Sequence, residues 1–325
     1  MEEKHILEVK NLSVTFRTSQ GNVAAADNVS FYINQGETFA LVGESGCGKS
    51  TTARSIMGLI HSPGEVSGDG IFFDGVDLSK LKKNQMAKIR GKRIGMIFQN
   101  PLDSLNPVYT IGSQITEGLM IDGTDRETAE REAVRILREV KISDAQRRMK
   151  SYPHEISGGM RQRVMIAMML VRNPELLIAD EPTTALDVTI QAEILELMRE
   201  LKEKFSTSLL LITHDFGVVA DMADRVGVMY AGRLIETADV FAIFDQPAHP
   251  YTRLLMQALP TITKDEGKLV SIPGSVPNLA DLGTGCHFAD RCPLASPECR
   301  EKTPEMKEIE PGHFCACIKT GRQGK

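Results

Sequence analysis

Apolar residues fall in three rhythms along this 325-residue chain, and each change of rhythm marks a change of architecture. Residues 6–10, 13–16 and 29–33 largely alternate apolar and polar positions. That period predicts half-buried antiparallel strands, with turns at Asn11 and at residues 19–22. Residues 37–42, 176–180 and 208–214 are short, nearly unbroken apolar runs, the pattern of strands buried on both faces. Residues 70–75 read as a strand with its turn. Residues 94–99 read as a strand ending at polar Gln99, followed by the breaker-rich residues 100–107. From residue 111 to about 171 the period becomes helical, with a charged amphipathic stretch at 127–140 and an apolar one at 159–171. A further amphipathic helix is predicted over 190–205. Strands alternating with helices imply an α/β fold with a mainly parallel sheet, an antiparallel β subdomain before it and an all-helical insertion within it. Past about residue 260 the periodicity fades into proline, glycine, cysteine and charge. The expected division is therefore a main domain over 1–260, with its helical subdomain at about 100–170, and a small loop-rich extension over 261–325.

Composition narrows the setting. Charged residues make up 25% and hydrophobic ones 42%, as in ordinary soluble globular proteins. The formal net charge of −5 gives no overall pull toward nucleic acid, and none is expected as a partner. The longest apolar run, residues 164–171, is far too short to cross a bilayer. Residues 1–5 are polar and carry acids, unlike a secretory signal, so a cytosolic protein reaching any membrane through a partner is expected. Of six cysteines, Cys47 stands alone and five lie between Cys286 and Cys317. Clustering of that kind in a reducing compartment points to metal rather than disulfides.

The chemistry starts at Gly43-Glu44-Ser45-Gly46-Cys47-Gly48-Lys49-Ser50-Thr51, which fits G-x-x-x-x-G-K-[ST] between a predicted strand and a predicted helix over 52–60. Glycines let the backbone curl so that N–H groups point inward, and the helix N-terminus adds its positive dipole end. Lys49 would reach the β- and γ-phosphates, and the Ser50 hydroxyl would complete the shell of a Mg²⁺ ion. A ligand-free glycine turn is the plain alternative. Leu176-Leu177-Ile178-Ala179-Asp180-Glu181 then delivers two carboxylates at a strand's carboxyl end, where open α/β sheets bind ligands. Asp180 suits Mg²⁺, directly or through water, and Glu181 suits polarising an attacking water. Ser157-Gly158-Gly159 opens the apolar helix and offers a second anion site by the same dipole logic.

Phosphate loop, Gln99, Ser157-Gly158-Gly159, Asp180-Glu181, Ala185-Leu186-Asp187 and His214 together resemble the ATP-binding subunit of an ABC transporter, a P-loop NTPase, over about residues 5 to 250. The resemblance implies two cassettes facing head to tail, each ATP lying between one phosphate loop and the partner's Ser-Gly-Gly turn. It implies that Phe16 stacks on adenine, that Gln99 touches Mg²⁺ and relays occupancy to the membrane partner, and that Glu181 is the general base. It further implies that His214 contacts the γ-phosphate and that Asp187 supports the dimer contact. Phe16 as a core aromatic and His214 as a mere strand end are the competing readings. Met160 departs from the pattern, standing where the superfamily usually has Gln, with the Ser157 hydroxyl and backbone donors retained.

Residues 245–255, 272–279 and 285–293 resemble the C-terminal extension of dipeptide/oligopeptide import ATPases, and the proline-glycine segment is closer to the D-type subunit than to its F-type partner. That implies a sister F-type ATP-binding subunit, two transmembrane permeases, an extracytoplasmic peptide-binding protein and a peripheral place on the cytoplasmic face of the membrane. Similar relatives serve nickel or oligosaccharide uptake. Soluble ABC ATPases usually carry two cassettes or a long coiled coil, neither seen here. A non-catalytic regulatory cassette is disfavoured by the full set Lys49, Asp180, Glu181 and His214. Four thiolates in a loop-rich cap can hold Zn²⁺ or an iron–sulfur cluster, and the first three cysteines lack the tight pairing zinc favours. The D-type resemblance implies a [4Fe–4S] cluster on Cys286, Cys292, Cys299 and Cys317, with Cys315 as an alternative to Cys317. His154, His249, His287 and His313 show no catalytic spacing, and the charged residues at 80–83 and 146–148 read as solvated faces.

Overall fold

The computed structural model describes residues 4–19, 21–99, 105–184, 186–258 and 272–320, and these divide into two compact units. The first gathers the described residues within Met1–Ile6, Asn34–Gly36 and Lys80–Ile212; the second gathers those within Leu7–Ile33, Glu37–Ser79 and Thr213–Lys325.

In the first unit the strand Leu176–Asp180 runs parallel to Ile94–Ile97 on one side and to Ser208–Thr213 on the other, with Met96, Ile178 and Leu210 in register. Every residue of the three strands is buried, as their unbroken apolar runs predict. The helices Ile111–Ile121, Arg126–Glu139 and Gly158–Leu170 pack on one another. Thr110, Asp125 and Ser157 cap their N-termini, each side-chain oxygen accepting a first-turn backbone N–H. A cap of this kind is worth about 1 kcal/mol. Helix Val188–Phe205 buries Ile194, Leu195, Leu197, Met198 and Leu201 along one stripe and starts at a fourth cap, Asp187.

In the second unit the strand His5–Thr18 has Gly21–Asn34 and Gly70–Phe73 as hydrogen-bonded neighbours, with Leu7 opposite Phe73 and Val9 opposite Ile71. The turn expected at Asn11 is absent, because the strand runs through it. Asn11 adopts φ 51 and Asn28 φ 55, and serine hydroxyls take the backbone donors that this geometry turns out of the ladder. The Asn11 N–H donates to Ser30 Oγ at 2.8 Å and the Asn28 N–H to Ser13 Oγ at 3.0 Å. Asparagine tolerates this left-handed conformation, so the alternation breaks while the chain does not.

A second ladder in this unit starts from Thr38–Val42, parallel to Arg225–Tyr230. Strands Arg233–Asp239, His313–Cys315 and Lys307–Glu310 follow antiparallel. The last two were not expected from the faded periodicity of the tail. His313–Cys315 is too short for a pattern, and every residue of Lys307–Glu310 is exposed. The boundary expected at 260/261 lies outside the described residues. Within the tail, Phe288 packs against Tyr230 and Tyr251 with ring centroids 5.1 and 5.3 Å away, and the two tyrosines are 4.7 Å apart. All three rings are at most 1% exposed, which is worth roughly 2–3 kcal/mol apiece.

Candidate active site

The phosphate loop leaves the buried strand Thr38–Val42 and enters the helix Lys49–Ile56, as its sequence setting predicts. Two glycines are required by their surroundings. Gly43 has φ 149, and a Cβ there would lie 2.2 Å from the Met229 carbonyl oxygen; Gly48 has φ 104, and its Cβ would lie 2.2 Å from that of Ala25. Only glycine allows either approach. Gly48 is also the N-cap of this helix and offers its first-turn N–H groups no side-chain acceptor. The Lys49 ammonium is buried and donates to the carbonyls of Gly43 at 2.7 Å and Glu44 at 3.0 Å, with Cys47 Sγ 3.7 Å away. Lysine reaching a phosphate would exchange these carbonyl bonds for phosphate oxygens. Burial pushes the Cys47 thiol up against the opposing pull of Lys49, so the side chain sits there as a small neutral group. Phe16, half-buried rather than in the core, lies opposite Gly64 on a neighbouring strand; a Cβ on Gly64 would meet its ring at 2.7 Å.

In the first unit three predicted residues come together at the carboxyl ends of adjacent parallel strands. Asp180 ends Leu176–Asp180 and is 1% exposed. Glu181 follows at φ 48, its N–H donating to the Ile212 carbonyl at 2.8 Å. Gln99, two residues past Ile94–Ile97, donates from Nε2 to Glu181 Oε2 at 2.8 Å. Thr184 Oγ1 donates to the same oxygen at 2.9 Å. One carboxylate is thereby held by two neutral donors, beside a buried second acid. That suits a general base which must be oriented without being protonated. Thr184 was not anticipated, although its place in the Glu-Pro-Thr-Thr turn was legible. His214 follows the strand Ser208–Thr213 and is exposed.

Ser157 and Gly158 are exposed at the mouth of helix Gly158–Leu170, and Ser157 Oγ accepts the Met160 N–H at 3.4 Å. A Cβ on Gly159 would meet Ile190 Cγ2 at 2.8 Å, so the turn lies against the start of helix Val188–Phe205. Asp187, exposed, accepts the Ile190 N–H at 3.0 Å. Ser157 and Asp187 thus stand at neighbouring helix N-termini. Buried Gln162, given no role by the sequence, donates to the Pro182 carbonyl and ties this helix to the loop carrying Glu181.

Among the described residues, no group of three or more His, Cys, Asp or Glu side chains is positioned to hold a metal ion. Cys286, Cys292, Cys299 and Cys317 nevertheless line one narrow cavity with Phe288, Leu294 and Ile318. Burial pushes the Cys286 thiol up to about 11 and raises Cys292 as well. Burial opposes ionisation at Cys299 too, but hydrogen bonds from Ser296 bring it below the ordinary thiol range. Cys315 is outside this cavity. Its thiol is raised by burial and by the nearby Glu236 carboxylate.

Comparison with known proteins bears on the same residues. The ABC transporter family model matches residues 26–184, and that of the oligopeptide/dipeptide transporter C-terminal region matches residues 235–299. The chain is 50% identical to the oligopeptide transport ATP-binding protein AppD of Bacillus subtilis, across 98% of each chain. It is also 50% identical to the oligopeptide transport ATP-binding protein OppD of Haemophilus influenzae, across 96% of each. Among solved structures, the dimeric ATP-binding cassette MJ0796 in a post-hydrolysis state with ADP and Pi is similar, with a TM-score of 0.65 and 27% identity over 72% of this chain and 98% of that one. No helix among the described residues is long and apolar enough to cross a membrane. Phosphate loop, paired carboxylates, fold and near-full-length identity agree: the chain belongs to the ABC transporter family, as an ATP-binding subunit of its oligopeptide/dipeptide branch.

Proposed function

We propose that this chain hydrolyses ATP to drive uptake of dipeptides or oligopeptides through partner permeases. The observation that carries the reading is the convergence of Gln99 and Thr184 on the Glu181 carboxylate beside buried Asp180. Hydrolysis of a phosphoanhydride needs positioning and charge neutralisation more than covalent chemistry. Lys49 and the backbone donors of residues 43–51 bind the phosphates. Ser50, Gln99 and Asp180 hold Mg²⁺, Glu181 is the general base, His214 meets the γ-phosphate, and Phe16 stacks on the base. Ser157, Gly158 and Gly159 close over the nucleotide of a sister F-type subunit, and Asp187 supports that contact.

The working division is the ATP-binding domain over 1–260, with its helical part at about 100–170, and an extension over 261–325. The helical part offers a groove of about 1050 Å³ lined by Tyr109, Met120, Ile121 and Met149. Tyr109 and Ile121 are 56% and 76% exposed, which suits a surface covered by the permeases at the cytoplasmic face of the membrane. An extracytoplasmic peptide-binding protein completes the importer. The experiment is co-purification with the permeases and measurement of ATPase activity on adding peptide-loaded binding protein. Stimulated turnover supports the reading; failure to associate, or turnover indifferent to peptide, overturns it.

A [4Fe–4S] cluster in the tail, with Zn²⁺ as the alternative, is supported by the shared cavity of Cys286, Cys292, Cys299 and Cys317 and its apolar wall. The position of Cys315 outside that cavity favours Cys317 as the fourth ligand. Such a group would cross-link loops that have little core of their own. Iron, acid-labile sulfide and zinc assays on anaerobically purified protein decide among cluster, zinc and free thiols.

A further inference from the structure

The cysteine-bearing segment meets the phosphate loop directly at Glu44 and indirectly, through residues 231 and 232, at Cys47. At the loop's start, Arg291 places a two-pronged ion pair on the Glu44 carboxylate, Nη1 to Oε2 at 2.7 Å and Nη2 to Oε1 at 3.2 Å. Two further donors of the guanidinium are used as well. Nε donates to the Pro273 carbonyl at 2.8 Å and Nη1 to Tyr230 Oη at 3.3 Å, so the fork has one available orientation. The Arg291 side chain is 7% exposed, shielding the pair from the screening that weakens surface ion pairs. The Glu44 backbone N–H donates to Tyr251 Oη at 3.1 Å, and the Tyr251 ring packs on Phe288 from the same segment. At the loop's far side, the Cys47 carbonyl accepts the Gly232 N–H at 3.0 Å. The preceding carbonyl, that of Ala231, is 2.7 Å from Nδ1 of His287. Arg291 and His287 lie beside Cys292 and Cys286.

We propose that Arg291 is a positioning residue for the phosphate loop, acting through Glu44, so that the extension sets the affinity of the nucleotide site. Glu44 would otherwise place a negative side chain at the entrance of an anion site. The guanidinium neutralises that charge and fixes the backbone whose donors meet the phosphates. The inference rests on residues 43–51 being the nucleotide site, and the experiment keeps the two apart.

Binding of a fluorescent ADP analogue is measured on the full chain for wild type, Arg291→Ala, Arg291→Lys, Glu44→Gln and the Arg291→Ala/Glu44→Gln pair, with hydrogen exchange of residues 43–51 and iron content read on each. Wild type that fails to bind overturns the site itself. Expected are an approximately tenfold loss of affinity in Arg291→Ala, partial recovery in Arg291→Lys, faster exchange in the loop, and a double variant no weaker than the worse single one, since one contact has been cut twice. Glu44→Gln leaves the cysteine segment untouched and guards against a variant that merely loses its tail. Unchanged affinity in both single variants, or losses that add in the double one, overturns the inference. So does a loss that follows iron content rather than loop exchange.

Discussion

At Glu181 the backbone enters the left-handed region, φ 48, a conformation that non-glycine residues hold only when their surroundings dictate it. Its N–H is tied to Ile212 and its carboxylate to Gln99 and Thr184, so the geometry survives replacement by an isosteric amide. Glu181→Gln should therefore bind ATP as the wild type does and hydrolyse it at least about 100-fold more slowly; wild-type turnover would remove Glu181 from the base position. Thr184→Val tests the orienting hydrogen bond, with a smaller loss in kcat and little change in KM expected from steady-state kinetics. The carboxylates were legible because an apolar run ending in two acids marks a buried strand that delivers charge at its carboxyl end. Arg291 was not, because the residue it serves lies 247 positions away and no local pattern records such a pairing.

Among the elements, the helix Pro250–Gln257 shows how burial makes a cap sensitive to pH. His249 caps it, Nδ1 accepting the Tyr251 N–H at 3.1 Å, and is 1% exposed. Burial lowers the folded-state value of this imidazole from 6.5 to about 4. Its neutral form is favoured in the fold, so the unfolded chain takes up the proton first as pH falls. The stabilisation is complete above pH 6.5 and is lost between there and about pH 4, on the order of 3 kcal/mol. Thermal unfolding across that window should show a falling midpoint, and His249→Asn, which keeps a capping acceptor, should show a flatter profile. Equal slopes would place the sensitivity elsewhere. Nearby, burial raises the Glu236 carboxyl, but hydrogen bonds from His313, Thr252 and the Ala248 and His249 N–H groups together outweigh it and hold the carboxyl below its usual range; its contribution therefore persists to lower pH. The sequence predicted neither histidine's burial, since a lone histidine carries no period. By contrast the strand Leu176–Asp180 has the bounds its apolar run marked, because parallel strands covered on both faces leave no polar position to blur them.

For the molecule as a whole, the second unit is discontinuous in sequence, joining Leu7–Ile33 and Glu37–Ser79 to Thr213–Lys325. The tail reads as an appendage from its composition, yet Phe288 lies in the aromatic core and His313–Cys315 extends a strand ladder of this unit. Deleting residues 272–325 should accordingly lower the unfolding temperature by several degrees and weaken nucleotide binding, rather than trim a passive cap; a truncated chain with wild-type melting and affinity would show the tail to be dispensable. The grip on the phosphate loop also has a consequence for synthesis. A ribosome adding ~5–20 residues per second needs roughly 10–50 s to travel the 247 positions from Glu44 to Arg291. Throughout that interval the nascent loop carries an unneutralised Glu44 and has no tail to fix its backbone. The newborn chain would thus be a poor competitor for cellular nucleotide until its last segment has folded home, so that ATP engages finished subunits rather than half-made ones.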